Sequence, residues 1–313
     1  MSNSLSFFID LQYRHIDYTM KGIHDDLRDI SQQHNFDFFN PKAGVFYTIS
    51  SRSQAYLSAA VSHREPNRSV YRDADPGQQI KHEQLINLEL GYGFQSSRLK
   101  FNSNVFYMHY NDQLVLTGKI NNVGAPILTN VPASYRLGIE NSLEYSISRR
   151  ISIGGHLSLS SNKILNYIHY VDNWNYWDDP DNQPYQYAYE MGTTDISFSP
   201  SVVGGFTLGI LPFDGFAIDL TGSYVSRQFL DNTSNKDRSL DPYFITNANM
   251  RYVVPQSIFK KLELKLQLNN LTSRWYETNG WVYQYVLDDE EYTMDGYFPQ
   301  ALLHGIVGVS VMF

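Results

Sequence analysis

The chain lacks cysteine altogether, which excludes disulfide staples and thiol chemistry but does not choose between an envelope and a cytosolic protein. It also lacks any apolar run of about 18 residues, so transmembrane helices are excluded. Basic residues are in deficit: 24 Lys and Arg stand against 32 Asp and Glu, for a net charge of -8, which argues against nucleic acid as a partner. Met1 to Leu5 carries no basic n-region, apolar h-region or small-residue cleavage site, so the chain does not open on a signal peptide. Neither a Gly-rich phosphate loop nor a zinc motif is present. The nine histidines are scattered without ligand spacing, and no metal or cofactor is expected.

What the chain does have is aromatic residues, with 24 Tyr and 18 Phe in a sequence whose mean hydropathy is -0.37. A wall with lipid on one side and water on the other produces this mixture, because each strand averages apolar with polar residues. The last sixteen residues, Phe298 to Phe313, show the pattern most clearly. Leu303, Gly305, Val307, Val309, Val311 and Phe313 alternate with His304, Ile306, Gly308, Ser310 and Met312. That is the period of a strand, and its apolar face runs to a terminal aromatic residue. Val309, Val311 and Phe313 therefore read as a membrane-insertion signal, with the insertion machinery of β-barrels as partner. Ile306 departs from it, standing where that signal usually has a polar residue.

The same alternation recurs along the chain. Phe7, Ile9, Leu11 and Tyr13 oppose Phe8, Asp10, Gln12 and Arg14. Further strands are expected at about Phe38 to Ile49, Ala55 to Arg64, Ile86 to Phe94, Arg98 to Tyr110, Leu137 to Ile147 and Ile151 to Leu159. Another ends near Ile210, and Phe216 to Tyr224, Tyr243 to Val253 and Leu262 to Asn269 follow. In the last of these, four leucines face four polar residues. With the terminal strand this makes twelve. The connectors alternate, short ones of about three to five residues, such as Val254 to Ile258, with long ones of roughly a dozen to thirty. The long one up to Ala133 contains an NNVGAP turn (Asn121 to Pro126) that would extend its hairpin beyond the bilayer. A soluble sandwich has shorter strands and does not sort its loops by length. The expected fold is all-β, an antiparallel transmembrane up-and-down barrel. Its short turns and C-terminus would be periplasmic, its long loops extracellular and its outer face in lipid.

Several stretches carry a family resemblance: FNPKAGVFYTI (Phe39 to Ile49), AYLSAAVSHREPNRSVYRDAD (Ala55 to Asp75) and HEQLINLELGYGF (His82 to Phe94). So do Tyr107 to Glu140, LNNLTSRWYETNGW (Leu268 to Trp281) and YFPQALLHGIVGVSVMF (Tyr297 to Phe313). The chain resembles the C-terminal half of the barrel of a TonB-dependent outer-membrane receptor, of the kind common in Bacteroidetes. One departure is Leu271-Thr272, where Leu-Phe is usual. The resemblance implies a 22-stranded barrel with an N-terminal plug, driven by the TonB complex. The ligand would be a ferric siderophore, haem, cobalamin or, in one branch, a glycan. Residues 1–313 would form the C-terminal portion of the barrel, with plug, TonB box and signal peptide absent. The TonB complex would then act only through that missing part. The expectation is a receptor fragment importing a scarce small-molecule ligand, such as a ferric siderophore or similar iron complex. An independent twelve-stranded passive porin is the alternative.

Candidate ligand contacts lie in the long loops. Trp174, Tyr176 and Trp177 could stack on a ligand, with Asp178, Asp179 and Asp181 beside them, although an aromatic loop packing on its neighbours gives the same sequence. The Asp run lacks the Gly and terminal Glu of a calcium loop. Arg64, Arg68 and Arg72 recur every four residues and could hold an anionic ligand; pairing with Asp73, Asp75 or Glu83 would occupy them instead. Twelve strands is also the size of the outer-membrane phospholipase, whose chemistry needs Ser, His and an orienting residue on adjacent strands. His156 and Ser158 lie one behind the other on a single strand, so no enzyme is expected.

Overall fold

A computed structural model describes residues 4–25, 27–75, 77–121, 124–255 and 258–313. Met1 to Asn3 and parts of the expected turns at Asn121 to Pro126 and Val254 to Ile258 lie outside the described residues.

The twelve alternating stretches all form strands of one antiparallel sheet. In chain order these are β1 (Leu5–Met20), β2 (Gln32–Ser50), β3 (Ser53–Arg64), β4 (Glu83–Gln95), β5 (Leu99–Ile120), β6 (Pro126–Ser146) and β7 (Ile151–Asn173). A side strand β8 (Gln186–Asp195) pairs with β7. The main path continues through β9 (Val202–Phe213) and β10 (Phe216–Val225). A two-stranded ribbon, β11 (Gln228–Phe229) with β12 (Ser239–Leu240), precedes β13 (Tyr243–Val253) and β14 (Lys261–Asn269). A hairpin of β15 (Glu277–Leu287) and β16 (Glu290–Pro299) leads to the last strand, β17 (His304–Met312). Each main strand pairs with the one before it, so the sheet is an up-and-down meander. Among the described residues β1 pairs with β2 alone and β17 with β14 alone, leaving two free edges.

Register fixes which side chains share a face, because a one-residue slip would exchange them all. Ile9↔Ala43↔Ala59↔Leu88↔Tyr107 forms one row. Leu157↔Gly204 and Leu264↔Val309 lie in corresponding rows. These rows are apolar and open: Ile9 is 75% and Val309 62% exposed. An outward apolar surface of that extent is matched to lipid, not to water. The opposite face carries Asp10, Glu89, Glu140, Asp219, Arg251 and Lys265.

On that inner face several glycines sit directly across from an aromatic ring. Tyr56 lies over Gly91, where a Cβ would come within 1.9 Å of the ring, and its hydroxyl donates to Asn104 at 3.1 Å. Phe8 covers Gly44 and Phe106 covers Gly138 in the same way. His156 lies over Gly205, so its ring serves packing and forms no dyad with Ser158.

The strands outrun the alternation that announces them. β2 begins at Gln32, β5 reaches Ile120, β6 begins at Pro126 and β7 runs to Asn173, well past the expected limits. The third long connector extends its hairpin as expected, with a ladder that continues to Ile120↔Pro126, and the first part of the longest loop is strand. Beyond the apolar belt both faces meet water or neighbouring loops, so hydropathy no longer alternates although the backbone ladder continues. The connector between β3 and β4 holds a short helix, α1 (Arg68–Asp73), capped by the Asn67 side chain accepting from Val70 N at 3.2 Å. The last long connector is built around the β15–β16 hairpin. Its Asp288-Asp289 turn has both residues at positive φ, 52° and 62°.

Candidate ligand site at the long-loop end

The projecting strands bring loops that are far apart in sequence into one hydrogen-bonded crown. Its interior begins with Val115, Val131, Ile164, Tyr167 and Ile196, a buried apolar cluster contributed by β5, β6, β7 and the residue after β8. Around it, buried polar groups are joined. Asn232 donates to Leu116 O at 2.7 Å, Tyr167 Oη donates to the same carbonyl at 3.3 Å, and Asn232 Oδ1 accepts from Ser197 N at 2.7 Å. Arg238 pairs with Asp231 at 2.8 Å and both are largely buried. Such a pair contributes little on its own, but loss of one partner leaves an uncompensated buried charge.

The β15–β16 hairpin docks on the end of β7 through a short parallel pairing, Asp172↔Tyr285 and Asn173↔Val286. His169 Nε2 lies 2.8 Å from Gln284 Oε1, which as an acceptor fixes the proton on Nε2. Gln284 in turn donates to Glu291 at 2.6 Å. His169 Nδ1 is buried without a partner, and burial holds this imidazole below the ordinary histidine range. Asp172 accepts from Tyr283 Oη at 2.5 Å and Gln186 Nε2 at 2.7 Å. Burial pushes the Asp172 carboxyl upward, and burial followed by the Asp172 hydrogen bond pushes the Tyr283 phenol upward. Both groups lie beyond the apolar belt.

Trp174, expected as a ligand contact, stacks on Tyr285 at 4.0 Å and donates from Nε1 to Tyr283 Oη at 3.1 Å. One face of its indole is thereby covered by the neighbouring loop, while the residue remains 38% exposed. Tyr176 and Trp177 form an edge-to-face trio with Tyr185, at 5.3 to 6.1 Å, and Trp177 stays open at 63%. Asp179 is held by Asn182 at 2.9 Å, and no group of metal-ligating side chains occurs among the described residues.

The three arginines divide. Arg64 Nε donates to Glu83 at 2.5 Å, and Glu83, buried, also accepts from Leu114 N at 2.8 Å. Arg72 clamps Asp73 at 2.6 and 2.8 Å. Arg68, the first residue of α1, is exposed. Two of the three are thus engaged by carboxylates expected to compete for them, while Asp75 pairs with Lys119. The inner wall near the short turns holds a cleft of about 850 Å³ lined by Lys100, Glu144, His156, Thr207 and Thr221.

Asp172, Tyr283, Tyr285, Gln284 and Asn232 carry no sequence signal of their own. Their roles depend on contacts spanning more than a hundred residues.

The sequence pattern of the family described as "TonB dependent receptor-like, beta-barrel" matches residues 2–271. The chain belongs to this family. TonB-dependent receptors are outer-membrane transport barrels. Similar solved structures include the siderophore receptor PiuA from Acinetobacter baumannii, with TM-score 0.71 and 14% identity over 98% of this chain and 41% of that one. The ferric yersiniabactin uptake receptor FyuA from Yersinia pestis gives TM-score 0.68 and 14% identity over 100% and 44%. The copper transporter OprC gives TM-score 0.70 and 12% identity over 99% and 45%. These likenesses show the fold, and this chain spans about two fifths of the length of those structures. Among curated proteins no sequence matches.

Proposed function

We propose that this chain is the C-terminal part of the barrel wall of a TonB-driven outer-membrane importer, and that its cargo is a ferric siderophore or similar iron complex. The observation that carries the reading is the assembly of the loops into one buried-core crown at one end of a sheet whose outer face is apolar and inner face polar. The cargo class follows the solved relatives named for siderophore or ferric-complex uptake. In this reading the short turns and C-terminus lie in the periplasm and the crown lies outside the cell. The plug, the TonB box and the remaining strands belong to other parts of the parent receptor. The inner-wall cleft would pack against the plug.

Trp177, Tyr176 and the open face of Trp174 are the proposed ligand contacts, joined by the exposed Arg68 on α1. Arg64 and Arg72 contribute less because their carboxylate partners already neutralise them. The proposal is tested by growth of a strain carrying the full-length parent on defined ferric siderophores under iron limitation. Trp177→Ala should raise the concentration needed for half-maximal growth at unchanged receptor abundance. Growth indifferent both to deletion of the parent and to Trp177→Ala would contradict it.

A further inference from the structure

The last-loop hairpin ends in an unpaired strand. Among the described residues β16 pairs with β15 alone, and all of its residues are exposed apart from the partly covered Gly296. The turn between Leu287 and Glu290 has two residues, so these two form a hydrogen-bonded pair and the pattern alternates from there. Backbone N–H and C=O of Tyr292 and Met294 therefore point to β15. Those of Glu291, Thr293, Asp295 and Tyr297 point to the open edge. These four residues, spread along a ten-residue strand, present outward donors and acceptors that form a template for one more strand.

Two properties restrict what can add there. From Trp275 to Leu303 the chain has six carboxylates and neither Lys nor Arg. The neighbouring stretch from Ile164 to Glu190 has five more and again no Lys or Arg, while Asp195 beyond it is paired with Lys163. The long-range field is therefore negative, which repels acidic strands, a second acidic copy of this hairpin and polyanionic surfaces. The two faces of β16 also differ. Tyr292, Met294 and Phe298 lie on one side and are exposed, while Glu291 and Asp295 lie on the other. A segment with basic residues at alternate positions would set them beside Glu291 and Asp295 and lay its apolar residues along Met294 and Phe298.

We infer that the open edge of β16 is a docking site for an extended polypeptide segment alternating basic and apolar residues, added as a strand. The inference stands apart from the identity of the imported cargo.

The test uses the full chain folded in detergent micelles and a fluorescent ten-residue peptide alternating lysine and valine, read by anisotropy. The expected result is binding that weakens at least about tenfold when the peptide's edge-facing amides are N-methylated, and by a similar factor in Thr293→Pro. Proline there removes an outward N–H and leaves the β15 ladder intact. A glutamate–valine peptide should not bind. Near-UV circular dichroism of the Trp174–Tyr285 stack reports whether the hairpin survives the substitution, and the N-methyl arm needs no variant. Equal binding of the N-methylated peptide would reduce the site to charge adsorption and overturn the inference. Unchanged binding by a folded Thr293→Pro protein would place the peptide on another edge and overturn it as well, as would the absence of any binding.

Discussion

Two adjacent residues of β7 test the assignment of faces. Leu157 lies outward beside Asn141 and Gly204, and Ser158 lies inward opposite Glu140. Leu157 is six residues beyond the start of β7 at Ile151. At about 3.3 Å per residue this is roughly 20 Å along the strand. With a tilt near 40° it corresponds to about 15 Å of depth, close to the middle of an apolar band about 25 Å tall. An arginine at that depth on the lipid face costs about 2–4 kcal/mol. Leu157→Arg should therefore shift the folded-to-unfolded ratio by about 30- to 1,000-fold. Ser158→Arg places the same charge in the polar lumen beside Glu140 and should change stability by less than about 1 kcal/mol. The assay is urea unfolding of the chain in phosphatidylcholine vesicles, followed by tryptophan fluorescence. Equal destabilisation by the two substitutions would refute the two-faced wall.

Gly91→Val should be destabilising by about 1–3 kcal/mol, because a Cβ there collides with the Tyr56 ring. Combining it with Tyr56→Ala should recover part of the loss in a double-mutant cycle, and strict additivity would speak against the ring-over-glycine contact. Asn270, 2% exposed and at φ 52°, binds Arg274 N and the carbonyls of Arg274 and Ala301. Asn270→Ala should cost about 2–4 kcal/mol by chemical denaturation, and Asn270→Gly should cost less because it removes the backbone strain. The depressed basicity of His169 sets a pH dependence. Its neutral form is the folded form, so its contribution is complete above the ordinary value of 6.5 and declines as pH falls below it. Hydrogen exchange at Gln284 to Leu287 should accelerate, relative to the intrinsic rate, on acidification below 6.5 in the wild type, and His169→Phe should remove that component. An unchanged pH profile in His169→Phe would assign the effect elsewhere.

How much of this was legible in the sequence follows from where lipid contrasts with water. Within the apolar belt one face meets hydrocarbon, and strands such as Leu262 to Asn269 announce themselves by strict alternation. The twelve main strands and their order were readable for that reason. The NNVGAP turn signalled that the β5–β6 hairpin projects, but the extension of β7 was not legible. Above the belt apolar residues such as Ile164 and Tyr167 pack inside the crown and no longer alternate with polar ones against lipid. The β15–β16 hairpin was missed for a related reason: its Asp288-Asp289 turn lacks the glycine that usually marks such a turn. Pairing of Arg64 with Glu83 and Arg72 with Asp73 was among the readings open from sequence. The contact of Trp174 with Tyr285 was not, since it joins loops separated by the whole of β8 to β14.

The most direct test of the central claim exploits the absence of cysteine. Single cysteines at Asp181, in the crown, and at Asp214, in a short turn, can be placed in the full-length parent, with any cysteine outside these 313 residues replaced by serine, and probed with a membrane-impermeant maleimide on intact cells. The account predicts labelling at position 181 on intact cells and at position 214 only after the outer membrane is permeabilised. Labelling of position 214 on intact cells, with position 181 protected, would contradict it.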